Sequence, residues 1–454
     1  MLLVARNKLA ITGGRVIDPG EEIDQISDVL ISNGRIEKIT LRTGESKLDG
    51  YEVIDATGMI ISPGFIDLHT HLRDPGQEWK ETITSGTHAA ASGGFTTICA
   101  MPNTDPVQDS AGTVEDVIRR SAVDGIVRVL PIGAISVGQR GEQLAPMGEL
   151  ADAGVIGFSD DGNPVEDANL MRQALAYSAE VGLPVINHAE DKKIAGGGVM
   201  TAGLVATRLG LAGAPNEAET AMVARDLYLA ELTETRLHIP HISTIGSIEV
   251  LRSAKDRGVD VTAEVTPHHL TLNEEWVFGL KGEVPSSVGL QSYDTNTRVN
   301  PPLRSKADVR ALVDALREGV IDIIATDHAP HAATDKVCTY NEAAPGINAL
   351  ETAFSSVFAL VNSKKISLVR LIESLTTRPA SILGRDLGRL RKGFPADITL
   401  IHPSALWVVD PSTFASKSVN TPLAGVELTG RIVRTIYQGK TCLLYTSPSP
   451  RDRG

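Results

Sequence analysis

Apolar and polar positions change their period twice along the chain. Residues 8 to 61 alternate and turn repeatedly. Leu9-Ala10-Ile11-Thr12 ends at Gly13-Gly14, Arg15-Val16-Ile17-Asp18 at Pro19-Gly20, and Asp28-Val29-Leu30-Ile31 at Asn33-Gly34. Arg35-Ile36-Glu37-Lys38-Ile39 follows that Asn-Gly, the strongest short hairpin signal. From Ile61 onward, short apolar runs alternate with helical stretches. Thr96-Thr97-Ile98-Cys99-Ala100 precedes a helix over 110–122, and Val127-Arg128-Val129-Leu130-Pro131 one over 146–153. Val155-Ile156-Gly157-Phe158 precedes a helix over 169–182, which leads into Pro184-Val185-Ile186-Asn187-His188. Helices over 217–232, 245–258 and 305–319 lead into runs ending at His241, Val265 and Asp327. Strand and helix in turn, about eight times, predict an α/β fold, a parallel (β/α)8 barrel of the TIM type. After a helix over 367–383 the β pattern returns in residues 396–401 and 430–437. Residues 1–61 and 384–440 are therefore expected to build one small β-sandwich from both chain ends, with the barrel at 62–383. Residues 441–454 show no pattern and are expected to be a disordered tail or a non-native scar.

Polar residues collect where the expected strands end. Ser62-Pro63-Gly64 turns the chain into the strand Phe65-Ile66-Asp67-Leu68, after which His69, His71 and Arg73 share a face by the two-residue repeat. Asn103, Asp161, His188, His241 and Asp327 stand at or just past other strand ends. Barrel active sites form at that rim, because the βα loops converge there.

Composition narrows the chemistry. Aromatics make up only 4%, so Ala, Val, Ile and Leu must fill the core, which suits layered α/β packing. A net charge of -13 without a basic block argues against nucleic-acid binding, so an anionic substrate has to be held by local Arg and by metal. Cys99, Cys338 and Cys442 form no metal or redox spacing, and a reducing cytoplasm is the expected compartment. The start, Met1 to Arg6, is too short for a signal segment, and no run approaches a membrane span.

Four imidazoles (His69, His71, His188, His241) and two carboxylates (Asp161, Asp327) would surround one space if those strand ends converge. Nitrogen and oxygen ligands without thiolate suit Zn²⁺ before Mn²⁺ or Co²⁺. Six ligands exceed what one open catalytic zinc takes, and two metals sharing a carboxylate fit the number better. Asp327, in Ala325-Thr326-Asp327-His328-Ala329-Pro330-His331, is the expected catalytic base, taking a proton from water and passing it to a leaving nitrogen. Its competing role is a helix N-cap, against which Pro330 argues. His238 is expected in the barrel wall, and His88, His268, His269 and His402 in structural or surface positions. His328 is expected to orient Asp327 or a neighbour, and Cys99 to be a buried small hydrophobe.

Several motifs resemble those of the dihydroorotases of the amidohydrolase superfamily, bacterial class I type. They are Gly64-Phe65-Ile66-Asp67-Leu68-His69-Thr70-His71-Leu72-Arg73-Asp74-Pro75-Gly76, Gly94-Phe95-Thr96-Thr97 with Met101-Pro102-Asn103-Thr104, and Phe158-Ser159-Asp160-Asp161-Gly162. Asn300-Pro301-Pro302-Leu303-Arg304 and Thr326-Asp327-His328-Ala329-Pro330-His331 complete the set, and the likeness runs from about Gly13 to Gly439. It implies one metal on His69, His71, Asp161 and Asp327, and a second on Asp161, His188 and His241. Related hydantoinases, and some dihydroorotases, bridge their metals with a carboxylated lysine. Here the position carries Asp160-Asp161, so an aspartate bridge is implied, Asp161 ahead of Asp160. Arg73, Asn103 and His331 would bind the substrate carboxylate and Asn300 the ring amides. Relatives commonly carry Phe-Gly where this chain has Ala344-Pro345-Gly346, and Pro345 and Gly346 are the positions that would meet the ring. Residues 332–346 lack periodicity and read as a lid.

The implied reaction is the reversible closure of N-carbamoyl-L-aspartate to L-dihydroorotate in pyrimidine synthesis, with hydroxide at the metals as nucleophile. The implied state is a homodimer or larger homo-oligomer, with possible association with aspartate transcarbamoylase. Two alternatives stand beside it: another cyclic-amide hydrolase (allantoinase, dihydropyrimidinase or hydantoinase), or a non-catalytic homologue that scaffolds aspartate transcarbamoylase.

Overall fold

The computed structural model describes residues 8–41, 48–289 and 291–444. β1 (Lys8–Asp18) pairs antiparallel with β2 (Ile23–Ser32), and β2 with β3 (Arg35–Leu41). β4 (Glu52–Asp55) and β5 (Ile60–Pro63) lie parallel to β1. The break expected at Gly13-Gly14 is instead an irregularity within one strand, because the register shifts between Ile11 and Gly14 and pairing resumes. A Cβ at Gly14 would lie 2.6 Å from Ile61 Cδ1, so β5 can approach only a glycine there.

The barrel follows. β6 (Phe65–Thr70), β7 (Phe95–Ala100) and β8 (Arg128–Pro131) form one parallel sheet. β9 (Phe158–Ser159) and β10 (Val185–Ile186) belong to a second, while β11 (Met200–Thr201) and β12 (Gly213–Ala214) make a separate small pair. β13 (Leu237–Ile239), β14 (Val261–Val265) and β15 (Ile323–Ile324) complete the second sheet. Parallel bridges Gly133–Phe158 and Thr70–His328 join the two sheets at both edges and close the ring. Ile66, Leu68, Cys99, Met101, Ile132, Ile156, Ile186 and Ile323 pack together from successive strands and fill the interior. Outside, Phe65 meets Phe95 edge-on at 5.7 Å and stacks on Phe354 at 5.5 Å, joining strands to the helical layer.

Helix ends follow their sequence signals. Ser305 caps Lys306–Glu318 in a box with Asp308, and Gly319 closes that helix at φ 79°. The helix expected over 367–383 is two, Leu368–Leu375 and Thr377–Ile382, because Pro379 has no N–H to return to residue 375.

β16 (Ile398–Val408) joins β5, β17 (Glu427–Tyr437) joins β16, and β18 (Lys440–Leu444) joins β17. The two chain ends thus meet in one eight-stranded sheet, hydrogen-bonded throughout, around a core that includes Ile11, Val29, Ile61, Ile398 and Ile436. Residues 441–444, expected to lack a pattern, belong to a strand, Lys440–Leu444, turned back by Gln438-Gly439, both at positive φ. Residues 445–454 lie outside the described residues. Nor does all of 384–440 stay in the sheet: residues 409–426 leave it between β16 and β17 and run to the barrel mouth. No helix among the described residues is long and apolar enough to cross a membrane.

Candidate metal centre

The site begins with a bulge. Asp67 pairs with Ile98 and Thr70 with Ala100, so β6 advances three residues while β7 advances two. One extra residue exchanges the faces of a strand. Ile66 and Leu68 face the barrel interior before it; after it His69 and His71 do. Buried Asp67 fixes the turn, its Oδ1 accepting from His69 N at 3.2 Å and Thr326 N at 2.9 Å, while Thr326 Oγ1 donates to Oδ2.

His69, His71, Asp161, His188, His241 and Asp327 converge from five strand ends, all nearly excluded from solvent. Asp161 sits between two histidine pairs. Its Oδ2 lies 3.4 Å from His69 Nε2 and 3.3 Å from His71 Nε2, and its Oδ1 lies 3.4 Å from His188 Nδ1 and 3.3 Å from His241 Nε2. Asp327 Oδ1 completes the first group, 3.1 Å from His71 Nε2 and 3.5 Å from His69 Nε2. Burial opposes charge on Asp161, yet the surrounding imidazoles hold its carboxyl well below the usual range, and Asp327 is lowered in the same way. Asp160 takes no part. Its Oδ1 accepts from Ile135 N at 2.8 Å and Ser136 N at 3.1 Å, and its Oδ2 from Ser136 Oγ, pinning a loop.

The imidazoles are oriented from behind. Glu264 Oε1 lies 2.7 Å from His69 Nδ1, and Asn103 Oδ1 lies 2.9 Å from His71 Nδ1. Both contacts make Nδ1 the donor and aim the Nε2 lone pair at the centre. His69 Nε2 is buried with no hydrogen-bond partner. A buried, unpaired nitrogen ringed by carboxylates and imidazoles fits a divalent cation. Two three-residue groups, His69/His71/Asp161 and Asp161/His188/His241, have ligand atoms close enough to hold an ion each. Arg73, His241 and Asp327 take φ of 60°, 34° and 46°, a left-handed backbone that non-glycine residues adopt where surrounding structure enforces it.

The expected substrate residues divide. Arg73 is buried and reaches Pro330 O at 3.3 Å and His331 Nε2 at 3.5 Å; burial lowers its pKa to about 10, leaving it cationic. Burial, then Arg73, Lys336 and Lys80, push His331 down to about 3, so it is neutral. Asn300 faces a cleft of about 210 Å³ shared with Glu190, Arg298 and Pro345. Asn103 spends its amide oxygen on His71 and so supports the ligand set. Pro345 and Gly346 have no idle backbone groups. Pro345 O bonds His331 Nε2 at 3.0 Å, Gly346 N donates to Arg298 O, and Gly346 O accepts from Asn420. The segment read as a lid is tied to its neighbours, with buried Lys336 donating to Thr295, Arg298 and Ala344 carbonyls.

His328 is turned away from Asp327. Its Nε2 meets Glu81 Oε2 at 3.2 Å and its Nδ1 accepts from Ala349 N, because the Thr70 bridge fixes its backbone with the ring outward. His238 is a wall residue, held between Thr262 Oγ1 and Glu264 Oε2, and His268 and His269 are buried. Three residues were missed: Glu264, Glu190 (Oε2 3.1 Å from Asn300 Nδ2) and Asn420. Glu264 stood in Ala263-Glu264-Val265, an acid inside an apolar strand, which was a usable signal; Glu190 and Asn420 lie in loops without one.

The family profile described as dihydro-orotase-like matches residues 58–247. A dihydroorotase of Geobacter metallireducens is 48% identical over 432 residues, covering 95% of this chain and 98% of its own. One from Syntrophus aciditrophicus is 45% identical over 433 residues, 95% of this chain and 98% of its own. Among solved structures, an L-hydantoinase from Arthrobacter aurescens superposes with TM-score 0.84 at 24% identity, covering 97% of this chain and 96% of its own. A dihydropyrimidinase from Brevibacillus agri gives 0.80 at 22%, covering 96% and 95%. The hydantoinase likeness establishes the barrel with its β-rich companion, and the full-length sequence identity goes further: this chain belongs to the dihydroorotase family of cyclic-amide hydrolases.

Proposed function

We propose that this chain catalyses the reversible closure of N-carbamoyl-L-aspartate to L-dihydroorotate at a pair of Zn²⁺ ions bridged by Asp161. His69, His71 and Asp327 would hold one ion with Asp161, and His188 and His241 the other. The observation that carries the reading is that each Asp161 oxygen faces a different histidine pair at 3.3 to 3.4 Å. Such a pair of ions, when bound, polarises a carbonyl oxygen and lowers the pKa of a trapped water.

The chain's own groups do the rest. Asp327, kept ionised among imidazoles, accepts the proton of the attacking water and returns it to the ring nitrogen as the amide C–N bond opens. Glu264 and Asn103 keep His69 and His71 in the tautomer that presents Nε2. Arg73, cationic and buried beside neutral His331, supplies the planar donor a substrate carboxylate needs. Asn300 and Pro345 line the cleft that would receive the ring.

The purified protein should open L-dihydroorotate and lose that activity on chelation. Turnover of hydantoin or allantoin without L-dihydroorotate would overturn the substrate, and chelator-insensitive turnover would overturn the metal mechanism. Absence of turnover on all three by metal-replete protein would favour the scaffold reading. Metal analysis fixes the ion and its stoichiometry. Light scattering, alone and with aspartate transcarbamoylase, tests the homo-oligomer and that association.

A further inference from the structure

The excursion between β16 and β17 makes specific bonds at the barrel mouth. Asn420 is 3% exposed. Its Nδ2 donates to Ala329 O and to Gly346 O, each at 3.0 Å, and its Oδ1 accepts from His331 N at 3.1 Å. Its main-chain carbonyl accepts from Asn348 N at 2.9 Å. One side chain therefore bonds both limbs of the loop that begins at His331 and returns at Gly346. A few residues earlier the same segment makes a second set of bonds. Ser418 Oγ donates to Lys80 O at 2.8 Å, Lys417 Nζ to Glu78 O at 2.6 Å, and Lys417 N to Glu81 Oε1 at 3.1 Å. Those acceptors lie in the stretch that leaves the barrel just after Arg73.

We propose that residues 416–421 form a positioning clasp, with Asn420 as its pin, that sets the spacing of Arg73 and His331 for a substrate carboxylate. This rests on the function proposed above. Asparagine suits the position because a single planar group offers an acceptor and two donors. Alanine would leave three buried backbone groups unpaired, and aspartate would turn an oxygen toward two carbonyls. The far end of the loop is held separately by Lys336, so loss of Asn420 should act on the His331 limb without releasing the whole segment.

The test uses Asn420→Ala and Asn420→Asp in the full chain. KM for L-dihydroorotate is expected to rise roughly tenfold or more in both, with kcat held within about threefold. In Asn420→Ala the His331 amide should also exchange its hydrogen faster than in the parent, without substrate present. An unchanged KM, a kcat that falls as far as KM rises, or unchanged His331 exchange would overturn the clasp. Should Asn420→Ala not fold, Asn420→Asp carries the KM test alone, since its oxygen still accepts from His331. A parent that opens hydantoin but not L-dihydroorotate defeats the substrate reading instead, and the exchange measurement then decides the clasp by itself.

Discussion

Glu264 shows how much one buried carboxylate can organise. Its Oε1 faces His69 Nδ1 and also accepts from His241 N at 3.3 Å, while Oε2 lies 3.0 Å from His238 Nε2. Burial opposes its charge, but His69 and His238 bring the carboxyl down to about 2. It thus fixes the tautomer of one expected ligand and the left-handed backbone of another. Glu264→Gln keeps the volume but can place its amide N–H₂ against an imidazole that must donate. Metal affinity should fall about 10- to 100-fold, as for other supports of ligating histidines, measured by competition with a chromophoric chelator. A variant that binds metal as tightly as the parent would show that His69 is oriented by other means.

Elements set the site's position more than its chemistry. The β6 bulge aims His69 and His71 inward, and the closing bridge between Thr70 and His328 places Asp327 beside them. Helices on the outside are held by ordinary local rules, so they should be separable from catalysis. Ser305→Ala removes the cap of Lys306–Glu318, with its bonds to Asp308, at a cost of about 1 kcal/mol. Urea unfolding should show that loss while kcat/KM stays within error. A drop in kcat/KM would mean that this helix end reaches the site, a route open through Asp308, which also accepts from Ile245 N.

On the scale of the whole molecule, the C-terminal excursion and the barrel are joined at Glu351, whose Oε1 accepts from Ala415 N at 2.9 Å and Ser416 N at 3.2 Å. Burial, with Glu81 adding to it, pushes this carboxyl up to about 7. An unfolded glutamate titrates near ~4.3, so between those values the folded chain binds the extra proton and stability falls as pH rises. Glu351→Gln keeps an acceptor for both N–H groups and has no proton to lose. Relative to the parent it should gain up to ~3 kcal/mol between pH 5 and 8, read from denaturation midpoints at both values. Parallel pH profiles for the two proteins would refute this.

Periodicity was enough to place the barrel strands, the β texture of both ends, and the acids and imidazoles at one rim. Those follow from local rules: two-residue and 3.6-residue repeats, caps, and the convergence of strand ends in a parallel barrel. The hairpin at Gln438-Gly439 and the bulge in β6 carry no strong local signal, so the last strand and the reversal of faces at His69 came only with the fold. The family resemblance put Asp161 ahead of Asp160, but periodicity could not separate them, because adjacent residues differ only in which way each points. An acid inside an apolar strand marked Glu264, but what Glu264 and Asn420 support was hidden for a related reason. Their partners lie up to 195 residues away, and hydrogen bonds across such separations exist only once the chain has closed on itself. The sequence by itself determined which groups would be present at the rim; the tertiary structure decided which of them face one another, since facing depends on register and closure, which no local repeat encodes.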